Sequence, residues 1–188
     1  MRKMQYFCVS ILNHKVIEIQ INMKKTLLLL TFSIALIALS FTEATRQLPD
    51  VNVRTLDGKS INIQEYAKNG KITVISFWAT WCAPCKRELD AISELYPEWT
   101  ENYDVEVLAI STDNARALSK VRPLVEQKGW EFEVLSDSKQ ELQRALNFQA
   151  IPQTFLINQA GEIVSQHEGY KPGDEYHLED EIKKLSGK

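Results

Sequence analysis

Cysteine is scarce in this chain: three residues in 188, at positions 8, 82 and 85. That scarcity excludes a scaffold stapled by several disulfides. It also leaves a structural zinc site short of ligands, because such a site takes four and only one close cysteine pair exists. His167 and His177 have no ligand spacing to each other and read as surface residues, so no metal and no cofactor is expected. A basic excess is missing as well. Net charge is −3; residues 1–44 hold five Lys or Arg against two Asp or Glu, and the remainder carries 17 basic and 23 acidic residues. Such a balance predicts no nucleic-acid partner. Internal repeats and low-complexity tracts are absent too. A length of 188 residues, 44% hydrophobic and 25% charged, suits one globular domain plus an end segment.

The end segment reads as an address. Met23-Lys24-Lys25 supplies a short positive region, residues 26–41 are almost wholly apolar, and Thr42-Glu43-Ala44 offers a small-residue cleavage site. Those are the three parts of a secretory signal. The expected division is an N-terminal extension and signal at 1–44 and a folded domain at 45–188. That domain would lie in the periplasm or at the outer face of the cytoplasmic membrane. The alternative is an uncleaved membrane anchor, for which the apolar run is short. No cysteine follows the run at a position suited to lipid attachment. Ile17-Glu18-Ile19-Gln20-Ile21 resembles neither leader nor anchor, which predicts Met23 as the true start. Cleavage removes Cys8 under either start, leaving one cysteine pair in an oxidising compartment. Such a pair is a structural staple or a redox pair. A three-residue spacing argues for the second, because so small a loop restricts the unfolded chain little.

That pair sits in Trp81-Cys82-Ala83-Pro84-Cys85, after the apolar run Ile72-Thr73-Val74-Ile75-Ser76-Phe77-Trp78 and before a helix-like stretch. The first sulfur is therefore expected at a strand-to-helix turn. Unbonded N–H groups at a helix start favour the thiolate, the attacking species in thiol-disulfide exchange. Cys82 is the expected nucleophile and Cys85 the resolving thiol. Lys86 and Arg87 flank the motif, with an effect that water screens.

Around the motif, residues 48–55 and 60–63 flank the turn signal Asp57-Gly58 and predict a β-hairpin. A short turn or helix at 64–69 closes at Gly70. The strand 72–78 leads into a helix from Ala83 to Tyr96, which Pro97 should kink or end. Residues 104–110 form the next strand. Ala117, Leu118, Val121, Leu124 and Val125 recur at helical spacing after the cap Asp113-Asn114 and stop at Gly129. A strand at 132–135, a helix beginning at Asp137 or Ser138, a hairpin of 154–157 with 162–166, and a helix from 174 to 185 complete the order. Glu179-Asp180-Glu181 reads as a solvated face of that last helix. The order implies an α/β architecture, a mixed sheet with helices on both faces.

Phe77-Trp78-Ala79-Thr80-Trp81-Cys82-Ala83-Pro84-Cys85, followed by Ala150-Ile151-Pro152-Gln153-Thr154-Phe155-Leu156-Ile157, resembles the thioredoxin fold. Within it the chain is most similar to the exported TlpA/ResA-like thiol-disulfide oxidoreductases, over roughly 48–185. The resemblance implies a cis peptide before Pro152, which an X-Pro bond admits, in a loop facing the cysteines. Ile151 would present backbone groups to the incoming partner. Trp81, Ala83, Pro84, Ile151 and Pro152 would then form the docking surface. Sixty-seven positions separate Cys85 from Pro152, more than plain thioredoxin has and enough for the inserted strand and helix of that branch. The leading hairpin is a second mark of it. Plain thioredoxin has a buried Asp where this chain has Ser76. Glu88, on the apolar stripe of Cys85, Leu89, Ile92, Leu95, Tyr96 and Trp99, matches the Glu linked in the ResA-like group to cysteine acid-base behaviour. It is assigned that catalytic role by resemblance. Asp90 stands where many relatives have Pro, and Gln153 where a small hydroxyl residue is frequent.

The function implied is a thiol-disulfide oxidoreductase outside the cytoplasm, expected as a monomer. It would reduce disulfides of exported proteins, apocytochrome c cysteines among them, with electrons from a membrane-bound thiol donor. The rival within the same chemistry is a disulfide oxidase or isomerase. A binding module or chaperone with a passive disulfide is the rival of another class. A thiol peroxidase is a weaker option, since peroxidatic cysteines usually lie in a different motif on the related fold.

Overall fold

The architecture follows from strand β4 (Ile72–Trp78), whose seven residues are all buried. A strand apolar along its whole length must be covered on both faces. In the computed structural model, which describes residues 46–187 and apart from them Lys24, β4 lies inside an eight-stranded sheet. The segment 1–44 expected to be an extension and signal, Lys24 apart, and the expected cleavage point near Thr45 lie outside the described residues, as do Cys8 and Met23. Among the described residues no helix is long and apolar enough to cross a membrane.

Beta-4 pairs in parallel with β5 (Val105–Ser111) and antiparallel with β7 (Gln153–Ile157), which pairs with β8 (Glu162–Glu168). Beyond β5 lie β6 (Glu133–Ser136) and then the antiparallel hairpin of β2 (Asn52–Thr55) and β3 (Ser60–Asn62). Gly58 takes φ +82° in its turn, a conformation that glycine adopts freely. A short β1 (Arg46–Gln47) pairs with β8 at the opposite edge. Of the strand expected over 48–55 only 52–55 forms, and β1 lies ahead of that stretch. Leu48, in the connection, is buried against the sheet and cannot continue an edge ladder.

Side chains alternate across the sheet and so create two cores. Ile72, Val74 and Trp78 of β4 face the layer that contains α2 (Ala83–Tyr103), α3 (Val121–Lys128) and α5 (Asp174–Ser186). Ile75 and Phe77 face the other layer, with α1 (Gln64–Ala67) and α4 (Glu141–Leu146). The parity puts Ser76 on the α2 side. Between β5 and β7 the chain carries α3, β6 and α4, which include the added strand and helix expected between Cys85 and Pro152, and the hairpin docks on β6.

Three helices depart from their expected bounds. Alpha-2 runs through Pro97 to Tyr103, because Trp99 and Tyr103 beyond the proline pack against the core and outweigh one lost amide bond. It stops at Asp104, which has φ 51°. The helix expected from Asp113-Asn114 is instead a turn capped by Asn114, whose side chain accepts from the amides of Arg116 and Ala117, then a 3₁₀ turn at Leu118–Lys120 and α3. Pro123 falls in the first turn of α3, where a missing N–H costs nothing. Alpha-4 begins at Glu141, three residues past Ser138, and Asp137 caps it by accepting from the amides of Glu141 and Gln143. On α5, Glu179 is buried rather than solvated, and Lys183 takes its carboxylate at 3.0 Å.

Candidate active site

The carboxyl end of β4 and the amino end of α2 deliver the cysteine pair. A turn closes from the Cys82 amide to the Ala79 carbonyl, and the first helical bond runs from the Lys86 amide to the Cys82 carbonyl. Cys82 is the N-cap, with Ala83 and Pro84 in the first turn, where the proline's missing N–H is one of those left free anyway. Cys82 and Cys85 are joined as a disulfide, S–S 1.97 Å, both buried. The Cys85 amide donates to Cys82 Sγ at 3.3 Å. This donor, with the field of a 21-residue helix, favours negative charge on Cys82 sulfur.

Opposite the pair, the Ile151–Pro152 peptide is cis, and the Ile151 carbonyl oxygen is 4.0 Å from Cys82 Sγ. Pro152 is buried, Ile151 half-buried, Ala83 exposed and Pro84 half-buried. Trp81 is 72% exposed, an unusual state for a large aromatic side chain, and precedes Cys82, the expected nucleophile. Of the expected docking residues, Trp81 and Ala83 adjoin Cys82 in the chain and the Ile151 carbonyl approaches its sulfur.

Below the pair, one turn along α2, Glu88 is 5% exposed. Its Oε2 accepts from Ser76 Oγ at 2.9 Å and its Oε1 from Thr154 Oγ1 at 2.7 Å. Burial pushes the carboxyl above its usual range; the two hydroxyl bonds and His167 work against that rise, and Asp174 adds to it. A carboxyl of raised proton affinity is better matched to a thiol. Ser76, where thioredoxin has its acid, thus anchors the acid supplied by α2.

Several contributors are invisible to local sequence reasoning. Asp113, expected as a helix cap, is buried and accepts from Thr80 N and Thr80 Oγ1, both at 2.8 Å, and from Ser111 Oγ at 2.9 Å. Lys86 Nζ donates to the Thr80 carbonyl at 3.1 Å. Residue 80 is therefore clamped on both sides, which fixes the loop that carries Trp81. Asp90, at the usual proline position, binds Lys128 Nζ at 2.6 Å and Trp130 Nε1 at 3.0 Å. Trp130 in turn meets Trp78 edge to face at 5.1 Å. Gln153 donates from Nε2 to the His167 carbonyl at 2.9 Å, holding β7 to β8 beside the cis bond.

Comparison with known proteins agrees with this geometry. The AhpC/TSA family model matches residues 44–166. Thiol-disulfide oxidoreductase ResA of Bacillus thuringiensis subsp. konkukian is 30% identical over 144 residues, covering 77% of this chain and 79% of its own. A solved thioredoxin-like protein from Porphyromonas gingivalis superposes with a TM-score of 0.67 at 39% identity, covering 76% of this chain and 94% of its own. StoA from Bacillus subtilis superposes with a TM-score of 0.57 at 27% identity, over 70% of this chain and 98% of its own. With a thioredoxin-like fold and a cysteine pair at a helix N-terminus, the chain belongs to the AhpC/TSA family and, within it, to the ResA-like thiol-disulfide oxidoreductases.

Proposed function

We propose that this oxidoreductase works outside the cytoplasm as a reductant of disulfides in exported proteins, and that Cys82, Cys85 and Glu88 carry the reaction. The observation that carries the reading is the buried Glu88 carboxylate, held by Ser76 and Thr154 one turn below the resolving sulfur. Cys82 thiolate attacks one sulfur of the partner disulfide; the partner S–S bond breaks, and the other partner sulfur leaves as a thiolate that takes a proton from water. Cys85–SH passes its proton to the Glu88 carboxylate, and the Cys85 thiolate attacks Cys82 Sγ. The mixed disulfide breaks, the second partner sulfur leaves as thiolate, and the Cys82–Cys85 disulfide remains. Two electrons have moved to the partner. A thiol donor at the membrane restores the dithiol.

Trp81, Ala83, Pro84, Ile151 and Pro152 form the surface on which the partner chain lies. Exposure of Trp81 and the Ile151 carbonyl's approach to Cys82 support this. Export rests on the apolar segment 26–41 and its charged flank, and apocytochrome c cysteines awaiting haem are one substrate class that export makes reachable. Insulin reduction tests the chemistry: Cys82→Ser and Cys85→Ser should abolish turnover, and full activity in both defeats it. The equilibrium potential against glutathione tests direction. A strongly oxidising value assigns the chain to disulfide formation instead.

A further inference from the structure

Once a partner covers Trp81 and the loop at Pro152, the front of the site is closed while Glu88 still holds the proton it took from Cys85. A second opening lies behind it. A cavity of about 290 Å³ is bounded by α2, β7, β8, the loop at Tyr170 and α5, and Glu88 and Thr154 form part of its wall. Several water molecules fit in such a volume.

Strand register shows where this cavity leads. Ser76 of β4 is the Cα partner of Thr154 of β7, and Thr154 is the partner of His167 of β8. Directly paired residues share a face of the sheet, so Ser76, Thr154 and His167 form one row from the buried centre to the solvent. Glu88 sits on the first two. The third, His167, has a side chain 55% exposed, with Nε2 3.3 Å from Asp174 Oδ2. We propose that Glu88 exchanges its proton with solvent through this rear cavity, and that His167, held by Asp174, is the relay that passes it outward.

The proposal rests on the reading of Glu88 as the proton partner of Cys85. The groups facing the cavity are His167 on β8, Tyr170 in the loop, and Asp174, Glu175, His177 and Glu181 on α5. Glu175 is taken by Tyr170 OH at 2.9 Å and Glu181 by Ser165 Oγ at 3.3 Å. His167 and His177 remain as side chains whose ring nitrogens can both accept and donate a proton, and only His167 stands in the row. Among the described residues no three side chains of His, Cys, Asp or Glu are grouped so as to hold a metal ion. The step balances without electrons: the Glu88 carboxylic acid releases its proton through cavity water to neutral His167, the imidazolium releases it to bulk, and the carboxylate is restored. A positive His167 also eases ionisation of Glu88, whereas Asp174 opposes it.

The test is insulin reduction by the full chain with dithiothreitol as donor, near pH 7, for His167→Gln, His167→Ala and Glu88→Gln. His167→Gln should lower kcat roughly tenfold with KM unchanged, less than the roughly 10²–10⁴-fold of a group that transfers a proton at the reacting atoms. Added imidazole should restore His167→Ala, since it fits the space the side chain leaves, and should not restore Glu88→Gln. If Glu88→Gln is slow while His167→Gln equals the unaltered chain, or imidazole does nothing for His167→Ala, the rear route is wrong and the role of Glu88 stands. If Glu88→Gln equals the unaltered chain, the role of Glu88 falls and the rear route with it.

Discussion

Asp113 lies 33 residues from Thr80 in sequence, yet it holds the loop that presents the site. Asp113→Ala removes the acceptor for the Thr80 amide, the Thr80 hydroxyl and the Ser111 hydroxyl. A hydrogen bond to a charged acceptor contributes about 1.5–3 kcal/mol. The hydroxyls can turn to other acceptors, so the stranded amide dominates, and the expected loss is about 2–3 kcal/mol. With a urea slope of about 2 kcal/mol per molar, the midpoint of unfolding falls by about 1 M or more at an unchanged slope. Asp113→Asn keeps an acceptor for the amide and should lose only about 1 kcal/mol. Freed from its clamp, the loop also holds Cys82 and Trp81 less well against a partner, and kcat/KM for insulin reduction should drop roughly tenfold in the alanine variant. An alanine variant with an unchanged urea midpoint and unchanged turnover would refute the clamp.

Asp90→Ala releases Lys128 and Trp130 Nε1 together; part of the loss is a half-exposed ion pair of little worth, so urea denaturation should show about 1–2 kcal/mol, weakly dependent on salt. Trp99→Ala opens a cavity under the part of α2 that continues past Pro97 and should cost about 3–5 kcal/mol by the same method. Glu88→Gln should stabilise the fold at neutral pH if the amide keeps both hydroxyl partners by turning one of them. The sign follows from burial. The native carboxyl holds its proton to higher pH than the unfolded chain, whose value is near 4.5, so stability is lost as pH rises from there through the native value. The cost is about 1.4 kcal/mol for every tenfold change in proton affinity. Urea midpoints of the two chains should therefore converge as pH falls below about 4.5 and separate above it.

Features written within one element were legible in the sequence. The run 72–78 marked β4 as a central strand, Asp57-Gly58 marked the β2–β3 hairpin, and Pro84 beside Cys82 marked a helix start. The end of α2 was not legible, because Pro97 is a local signal and the burial of Trp99 against the sheet is a tertiary one. Asp113 followed by Asn114 reads locally as a cap, and Asn114 does cap; the acid is drawn away by Thr80, which only the β4–β5 pairing brings near. Asp90 looked like a missing proline and is the anchor of Lys128 and Trp130. Glu88 was placed on the correct stripe by helical spacing, but its partners Ser76 and Thr154 depend on strand register, as does the position of His167. Local chemistry found the sulfurs, and long-range pairing supplied their surroundings.

In the proposed reaction Glu88 governs the proton of the cysteine pair. The most direct measurement is alkylation of Cys82 and Cys85 in the reduced protein as a function of pH, compared between the unaltered chain and Glu88→Gln. The pH profile of Cys85 should move when the carboxylate is replaced, since the thiol loses the group that shares its proton. A Glu88→Gln profile that overlays the unaltered one for both cysteines contradicts that role of Glu88.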